Sequence, residues 1–262
     1  EAKQLAEDGV KVLNIVAQDT TYYGVDCYGE PRLAQLLQQL NDVEGIEWIR
    51  LLYFYPMYIS NELIDVIRES KRIIPYIDMP LQHINDVVLK RMARRVNKQQ
   101  TIETIDRLRA GIPNLCLRTT MLTGFPGETD DQFDELLQFV NETRFDRLGV
   151  FSYSFEEATP SANLTDHIDE DIKESRRETL MLAQQTIMYE RNELLIQSKI
   201  SVMVDQAVPQ QANAWVGRSQ ADAPDIDSLV FLTGNGTQLS PGQIVEAEVV
   251  AVNGYDLIGA VL

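Results

Sequence analysis

The segment LCLRTTMLTGFPGET, residues 115–129, joins an apolar run to two glycines, a proline and a carboxylate. Residues 115–122 read as a buried strand, and Gly124 and Gly127 on either side of Pro126 suit a tight turn where backbone comes close to something. Phe125 lies inside that turn, and Glu128 reads as the opening of an acidic first helical turn. The plain alternative is a strand-to-helix turn with no ligand. Other apolar runs end in similar polar clusters. VKVLNIVAQD leads into Gln18, Asp19, Thr20, Thr21, Tyr22, Tyr23 and Gly24, and IIPYIDMPLQH ends in Asp78, Gln82 and His83. With Arg118 and Thr119, these residues supply amides, carboxylates, an imidazole and a guanidinium, the groups that fix a polar ligand in a mostly apolar pocket. None is singled out as a catalytic acid, base or nucleophile.

Positioning such clusters is a task for strand ends, and the order of elements supplies them. After a helix-like opening, EAKQLAEDG, the apolar runs near residues 10–19, 46–56, 73–83, 115–122 and 147–154 alternate with helical patterns. Pro31 with Leu33, Leu36, Leu37 and Leu40 marks one amphipathic helix; Ser60 or Asn61 caps ELIDVIRES; Asn85 caps DVVLKRM. Asn97 and Gln100 form a capping box for a helix ending at Gly111, and DDQFDELLQFVNETR is amphipathic. Strand, helix, strand, helix implies a parallel sheet. No G-x-G-x-x-G follows the first strand, while polar strand ends suit a (β/α) barrel, incomplete because only five strands are present. From Glu156 a turn-rich acidic connection leads to a long helix with Leu180, Ala183, Ile187, Glu190, Leu194 and Gln197 on successive turns. Short glycine-punctuated strands follow, as expected for a small antiparallel barrel. The expected division is residues 1–199 for the partial barrel with its connecting helix and residues 200–262 for the small barrel.

Composition narrows the classes. In 262 residues, 44% are hydrophobic and 8% aromatic, ordinary for a globular protein. No apolar run approaches the ~18 residues of a membrane span and no signal-peptide pattern is present, so a cytoplasmic location is expected. Cys27 and Cys116 lie far apart without metal-ligand spacing, so no metal site is readable. A net charge of −17 argues against a nonspecific grip on nucleic acid and favours a basic partner. The chain starts at Glu1 inside a helical pattern, which reads as part of a longer polypeptide.

Taken together, QDTTYYG, PLQH followed by LKRMARR, RTTMLTGFPGET and FSYSFEEATPSANL resemble the methylthiotransferases, a branch of the radical S-adenosylmethionine enzymes. The resemblance covers essentially the whole chain. It implies a partial TIM-type barrel followed by a five-stranded TRAM barrel, with S-adenosylmethionine as cofactor and two 4Fe-4S clusters in the intact protein. It also implies that a CxxxCxxC loop and a three-cysteine N-terminal domain hold those clusters. This chain carries neither cysteine set, so its residues are expected to bind no cluster and to be inactive alone. Carried over residue by residue, the resemblance makes Gln18, Asp19, Gln82, His83, Arg118, Thr119, Gly124, Phe125, Gly127 and Glu128 lining residues for S-adenosylmethionine at the barrel mouth. Structural roles are the alternatives: Arg118 paired with Asp78, His83 capping the next helix, Asp19 as a turn residue.

Two substrates compete within that family, an adenosine of transfer RNA and an aspartate of a small-subunit ribosomal protein. From residue 200 onward Asp205, Asp222, Asp225, Asp227, Glu246, Glu248 and Asp256 face one base, Arg218. That sign disfavours RNA and favours a basic protein, with Asp222, Asp225 and Asp227 as an acidic docking edge. The basic run Lys90, Arg91, Arg94, Arg95 and Lys98 is the counter-evidence, unless it is a solvated helix face. A third reading is a cluster-free module that docks on a basic protein.

Overall fold

The structure, a computed structural model, describes residues 1–234, 236 and 238–262. The chain forms two compact units, residues 1–184 and 185–262.

In the first, helix α1 (Ala2–Glu7) precedes five parallel strands that lie side by side in chain order. These are β1 (Val12–Ile15), β2 (Trp48–Leu51), β3 (Ile73–Asp78), β4 (Cys116–Thr123) and β5 (Arg147–Ser152). Parallel neighbours need a crossover, and helices occupy each one. They are α2 (Val25–Tyr28) and α3 (Leu33–Asn41), then α4 (Asn61–Glu69), then α5 (Asp86–Arg91) and α6 (Lys98–Gly111), then α7 (Asp130–Thr143). This is the expected incomplete (β/α) barrel.

Local chemistry sets the helix ends. The Ser60 hydroxyl, rather than Asn61, accepts from Leu63 N at 3.1 Å, and the Asn85 side chain accepts from Val87 N and Val88 N. Full capping boxes start α6, through Asn97 and Gln100, and α7, through Thr129 and Gln132. Helix α7 therefore begins after Glu128, which is only 4% exposed. The first-turn carboxylates are instead Asp130 and Asp131. Glu128 does not open the helix because its charge is drawn inward by buried Arg176, described below.

Along β4, Leu117, Thr119, Met121 and Thr123 are buried while Arg118, Thr120 and Leu122 are half-buried. The sheet thus has one sealed face and one more open, polar face. Register places on the open face Asn14 beside Arg50, Asp78 beside Arg118, Arg118 beside Arg147, and Thr120 beside Gly149.

Helix α8 (Glu170–Leu194) starts earlier than its apolar residues suggest, and the unit boundary falls within it. Its buried side chains are Lys173, Arg176, Leu180 and Gln184, then Ile187, Met188 and Asn192. Leu194, at the end of the helix, is 83% exposed.

The second unit continues into β6 (Lys199–Ala207), β7 (Ala214–Ser219), β8 (Val230–Thr233), β9 (Ile244–Asn253) and β10 (Asp256–Val261). They close in the order β10-β8-β7-β6-β9 around Val202, Val204, Trp215, Val230, Leu232, Ala247, Val249 and Leu257. The barrel is not wholly antiparallel as expected. Strands β8 and β10 pair parallel, and this pairing closes it. Gly217 is where strands approach closest, since a Cβ there would lie 2.3 Å from the Met203 carbonyl oxygen.

Candidate active site at the strand ends

The loops that leave the C-terminal ends of β1 to β4 gather at one end of the sheet, and two of their non-glycine residues are strained. Tyr53, after β2, has φ +58°, and Gln82, after β3, has φ +71°. A bulky residue in the left-handed region is uncommon and needs its surroundings to hold it. Tyr53 N donates to Asp78 Oδ2 at 3.1 Å, and its carbonyl accepts from Thr20 N at 3.0 Å. Gln82 extends the sheet: its N donates to Thr120 O at 2.9 Å and its carbonyl accepts from Leu122 N at 2.7 Å. In (β/α) barrels the chemistry sits at this C-terminal end of the strands, which makes the rim the candidate site.

The expected site residues fall into four groups. Arg118 pairs with buried Asp78 at 2.8 Å on the open face, with Thr120 Oγ1 at 3.5 Å. Asp19 caps the turn Thr20–Tyr22, accepting from Thr21 Oγ1 at 2.5 Å and Tyr22 N at 3.2 Å, while neighbouring Gln18 is exposed. Thr119 lies on the sealed face, where its hydroxyl donates to Met79 O at 2.9 Å and accepts from Leu81 N.

The fourth group is one buried network. The Glu128 carboxylate accepts from Arg176 Nη1 at 2.9 Å, from Gly124 N and from His83 Nε2 at 3.1 Å. His83 Nδ1 accepts from Asn85 N at 3.0 Å, which makes Nε2 the protonated nitrogen. Arg176 also donates to the Glu128 carbonyl at 3.1 Å and to Asp130 at 2.6 Å. Beside it, Lys173 Nζ donates to Tyr153 O at 3.1 Å and Glu170 at 2.9 Å. A charge buried this deeply is tolerated only with several such partners. The glycines of the turn serve this packing. Gly124 (φ +72°) faces Lys173, whose Cγ would be 2.2 Å from an added Cβ, and Gly127 (φ +79°) faces Arg91 Nη1 at 2.3 Å. Phe125 packs edge-on against Tyr153, ring centroids 5.3 Å apart.

Sequence reasoning missed Tyr53, Arg50, Arg147, Lys173 and Arg176. Arg50 is fully buried on the open face with its guanidinium 4.3 Å over the Tyr76 ring. The LLYFYP run, too aromatic for a strand end, was the available signal for Tyr53. The basic run is only partly a solvated face. Arg94 stacks over Tyr55 at 4.6 Å and donates to Pro80 O at 2.6 Å, and burial lowers its pKa from the ordinary arginine value against the pull of Tyr55 and Asp19. Lys98 binds Glu135 at 2.7 Å. Lys90 and Arg95 remain exposed.

In the second unit the acidic edge is narrower than expected. Asp222 is 1% exposed and accepts from Ser219 Oγ at 2.5 Å, closing a turn. Asp227 accepts from Ala223 N at 2.9 Å, and only Asp225 of the three is exposed. Arg218, the one base from residue 200 onward, is held by Asp205 through two 2.8 Å hydrogen bonds.

The Radical SAM superfamily profile matches residues 1–140, over half of the chain, and the TRAM domain profile matches residues 196–262. The chain belongs to the radical SAM superfamily. It is 45% identical over its whole length to the ribosomal protein uS12 methylthiotransferase RimO of Clostridioides difficile, and 44% identical to that of Desulfitobacterium hafniense. In both cases it spans 58% of the relative's length. Among solved structures, the radical SAM enzyme coproporphyrinogen III oxidase (HemN) from Escherichia coli superposes with a TM-score of 0.54 at 16% identity. That match covers 73% of this chain and 44% of the other, and it supports the fold alone.

Radical SAM chemistry implies a 4Fe-4S cluster, which cysteine thiolates hold. The residues present do not fit one. Cys27 is exposed after β1 and Cys116 is buried at the start of β4, and among the described residues no three His, Cys, Asp or Glu side chains form a metal-binding group. Among those residues no helix is long and apolar enough to cross a membrane.

Proposed function

We propose that this chain is the partial barrel and TRAM portion of a methylthiotransferase that modifies an aspartate of ribosomal protein uS12 in the cytoplasm. The observation that carries the reading is the 45% identity along all 262 residues to an enzyme named for that substrate. S-adenosylmethionine, with two 4Fe-4S clusters held by cysteines outside these residues, would supply the radical, the sulfur insertion and the methyl group.

The work of this chain is binding and orientation. A zwitterionic amino-acid tail calls for a cation and an anion side by side, and Arg118 with Asp78 offers that pair on the open face of the sheet. Gln82, fixed by backbone bonds on both sides, and Thr120 next to it present polar groups to a ribose at the same rim. The Glu128 network lies behind the rim. Its role is to fix the Gly124–Glu128 turn, and so the end of β4, while excluding water. From residue 200 onward the chain carries six net negative charges, which suits a basic protein better than transfer RNA.

The test is to incubate the intact protein, with reductant and S-adenosylmethionine, with purified uS12 and with transfer RNA, and to follow both by mass spectrometry. Modified uS12 with unmodified RNA is expected. Modified RNA with untouched uS12 would overturn the reading.

A further inference from the structure

The connection after β1 forms a surface cavity of about 400 Å³ lined by Asp19, Tyr22, Tyr23, Gly24, Asp26, Cys27 and Tyr28. It lies at the rim of the sheet but outside its open face. Tyr22, Tyr23 and Tyr28 are 44%, 44% and 57% exposed, so burial does not account for three rings within seven residues. The backbone beneath them is nonetheless firmly held. The Thr20 hydroxyl donates to Leu52 O at 2.5 Å, Asp19 caps the turn, and Arg32 N donates to Tyr23 O at 2.7 Å. Gly24 (φ +93°) turns the chain into α2 with Arg32 Cβ only 3.0 Å from where its own Cβ would stand. Tyr22 is braced edge-on by Tyr58, centroids 5.3 Å apart.

The lining has one electrostatic character. Ring faces are negative, Asp19 and Asp26 carry carboxylates, and none of the seven lining residues is basic. The carboxylates and the ring faces would repel an anion, whereas a cation gains from both. A metal ion is disfavoured, because no three His, Cys, Asp or Glu side chains form a metal-binding group among the described residues. The chain itself shows what the rings accept: the Arg32 guanidinium lies 4.7 Å over the Tyr28 ring, steered by Glu30 at 2.8 Å. A planar guanidinium gains both from stacking and from a carboxylate. Asp26 is the exposed carboxylate of the two, since Asp19 already caps its turn.

We propose that this cavity receives an arginine side chain from a basic segment of a partner protein. This deepens the proposed function, on which it rests for the partner's identity, by naming what positions that partner beside the rim.

The experiment titrates this chain with a short fluorescent glycine–serine peptide carrying arginines, and with its citrulline twin, which keeps the shape and loses the charge. The arginine peptide is expected to bind about tenfold more tightly. Tyr28→Leu, Tyr23→Leu and Asp26→Asn, all at exposed positions, should each weaken it several-fold with the circular dichroism spectrum unchanged. Asp171→Asn, a remote exposed acid, should not. Equal binding of the two peptides, or variants in the cavity that bind like the parent, would overturn the proposal. Failure of the intact protein to modify uS12, with selective arginine-peptide binding retained, would remove the proposed function and leave this site standing.

Discussion

Glu128 shows how a residue can be legible in type and misread in its place on a helix. The sequence marks it as a carboxylate after a glycine turn, and proximity to a strand end makes it a candidate ligand contact. Its partner Arg176 lies 48 positions further on, near the start of the long helical segment, so no local signal joins them. Deep burial of Glu128 with Arg176, His83 and the Gly124 amide makes it a structural keystone of the turn. Glu128→Gln keeps the shape and removes the charge, leaving Arg176 with Asp130, which is 93% exposed, as its remaining anion. A loss on the order of 3 kcal/mol in denaturant unfolding is expected, because removing one partner leaves a buried charge uncompensated. A loss below about 0.5 kcal/mol, the usual size for a surface change, would show that the network contributes little.

Among the elements, helices were more legible than their packing. Caps at Ser60, Asn85 and Asn97 act locally and could be read directly. The buried stripe of α8 could not, because it uses Lys173, Arg176, Gln184 and Asn192 where a reader looks for leucine. The parallel closure of β8 on β10 was hidden for a related reason, since it joins strands with β9 between them in the chain. Helices α5, α6 and α7 meet at another such long-range point. Glu135 of α7 accepts from Lys98 of α6 at 2.7 Å and from the α5 cap Asn85 at 2.6 Å. Burial works to raise the Glu135 pKa, but the two hydrogen bonds and the Lys98 charge outweigh it and hold the carboxyl below its ordinary value. A depressed folded-state pKa means the contribution is present above the unfolded value, about 4.3, and is lost as pH falls through the folded one. Lys98→Met should therefore lower stability at neutral pH and flatten its decline in acid. Denaturant titrations between about pH 6 and pH 3 measure this, and parallel curves for parent and variant would mean that the pair is not coupled to folding.

At the scale of the whole molecule, topology separates the two thiols. Cys116 begins β4, whereas Cys27 follows the C-terminal end of β1, so in a parallel sheet they belong to opposite ends. Iron–sulfur clusters need several thiolates converging on one point. No movement short of unfolding brings these two together, and even together they are too few for a three-cysteine site. Anaerobic treatment of this chain with iron and sulfide is thus expected to leave it colourless after desalting, with Cys27 alkylated quickly and Cys116 slowly. The intact protein should instead take up iron in stoichiometric amounts. Stoichiometric cluster absorption in the 262-residue chain, persisting after both cysteines are replaced by serine, would contradict the placement of the cluster ligands outside it. If the absorption were lost with Cys27→Ser alone, a cluster shared between copies at that exposed thiol would be indicated, and the copies should then co-elute as an oligomer on gel filtration.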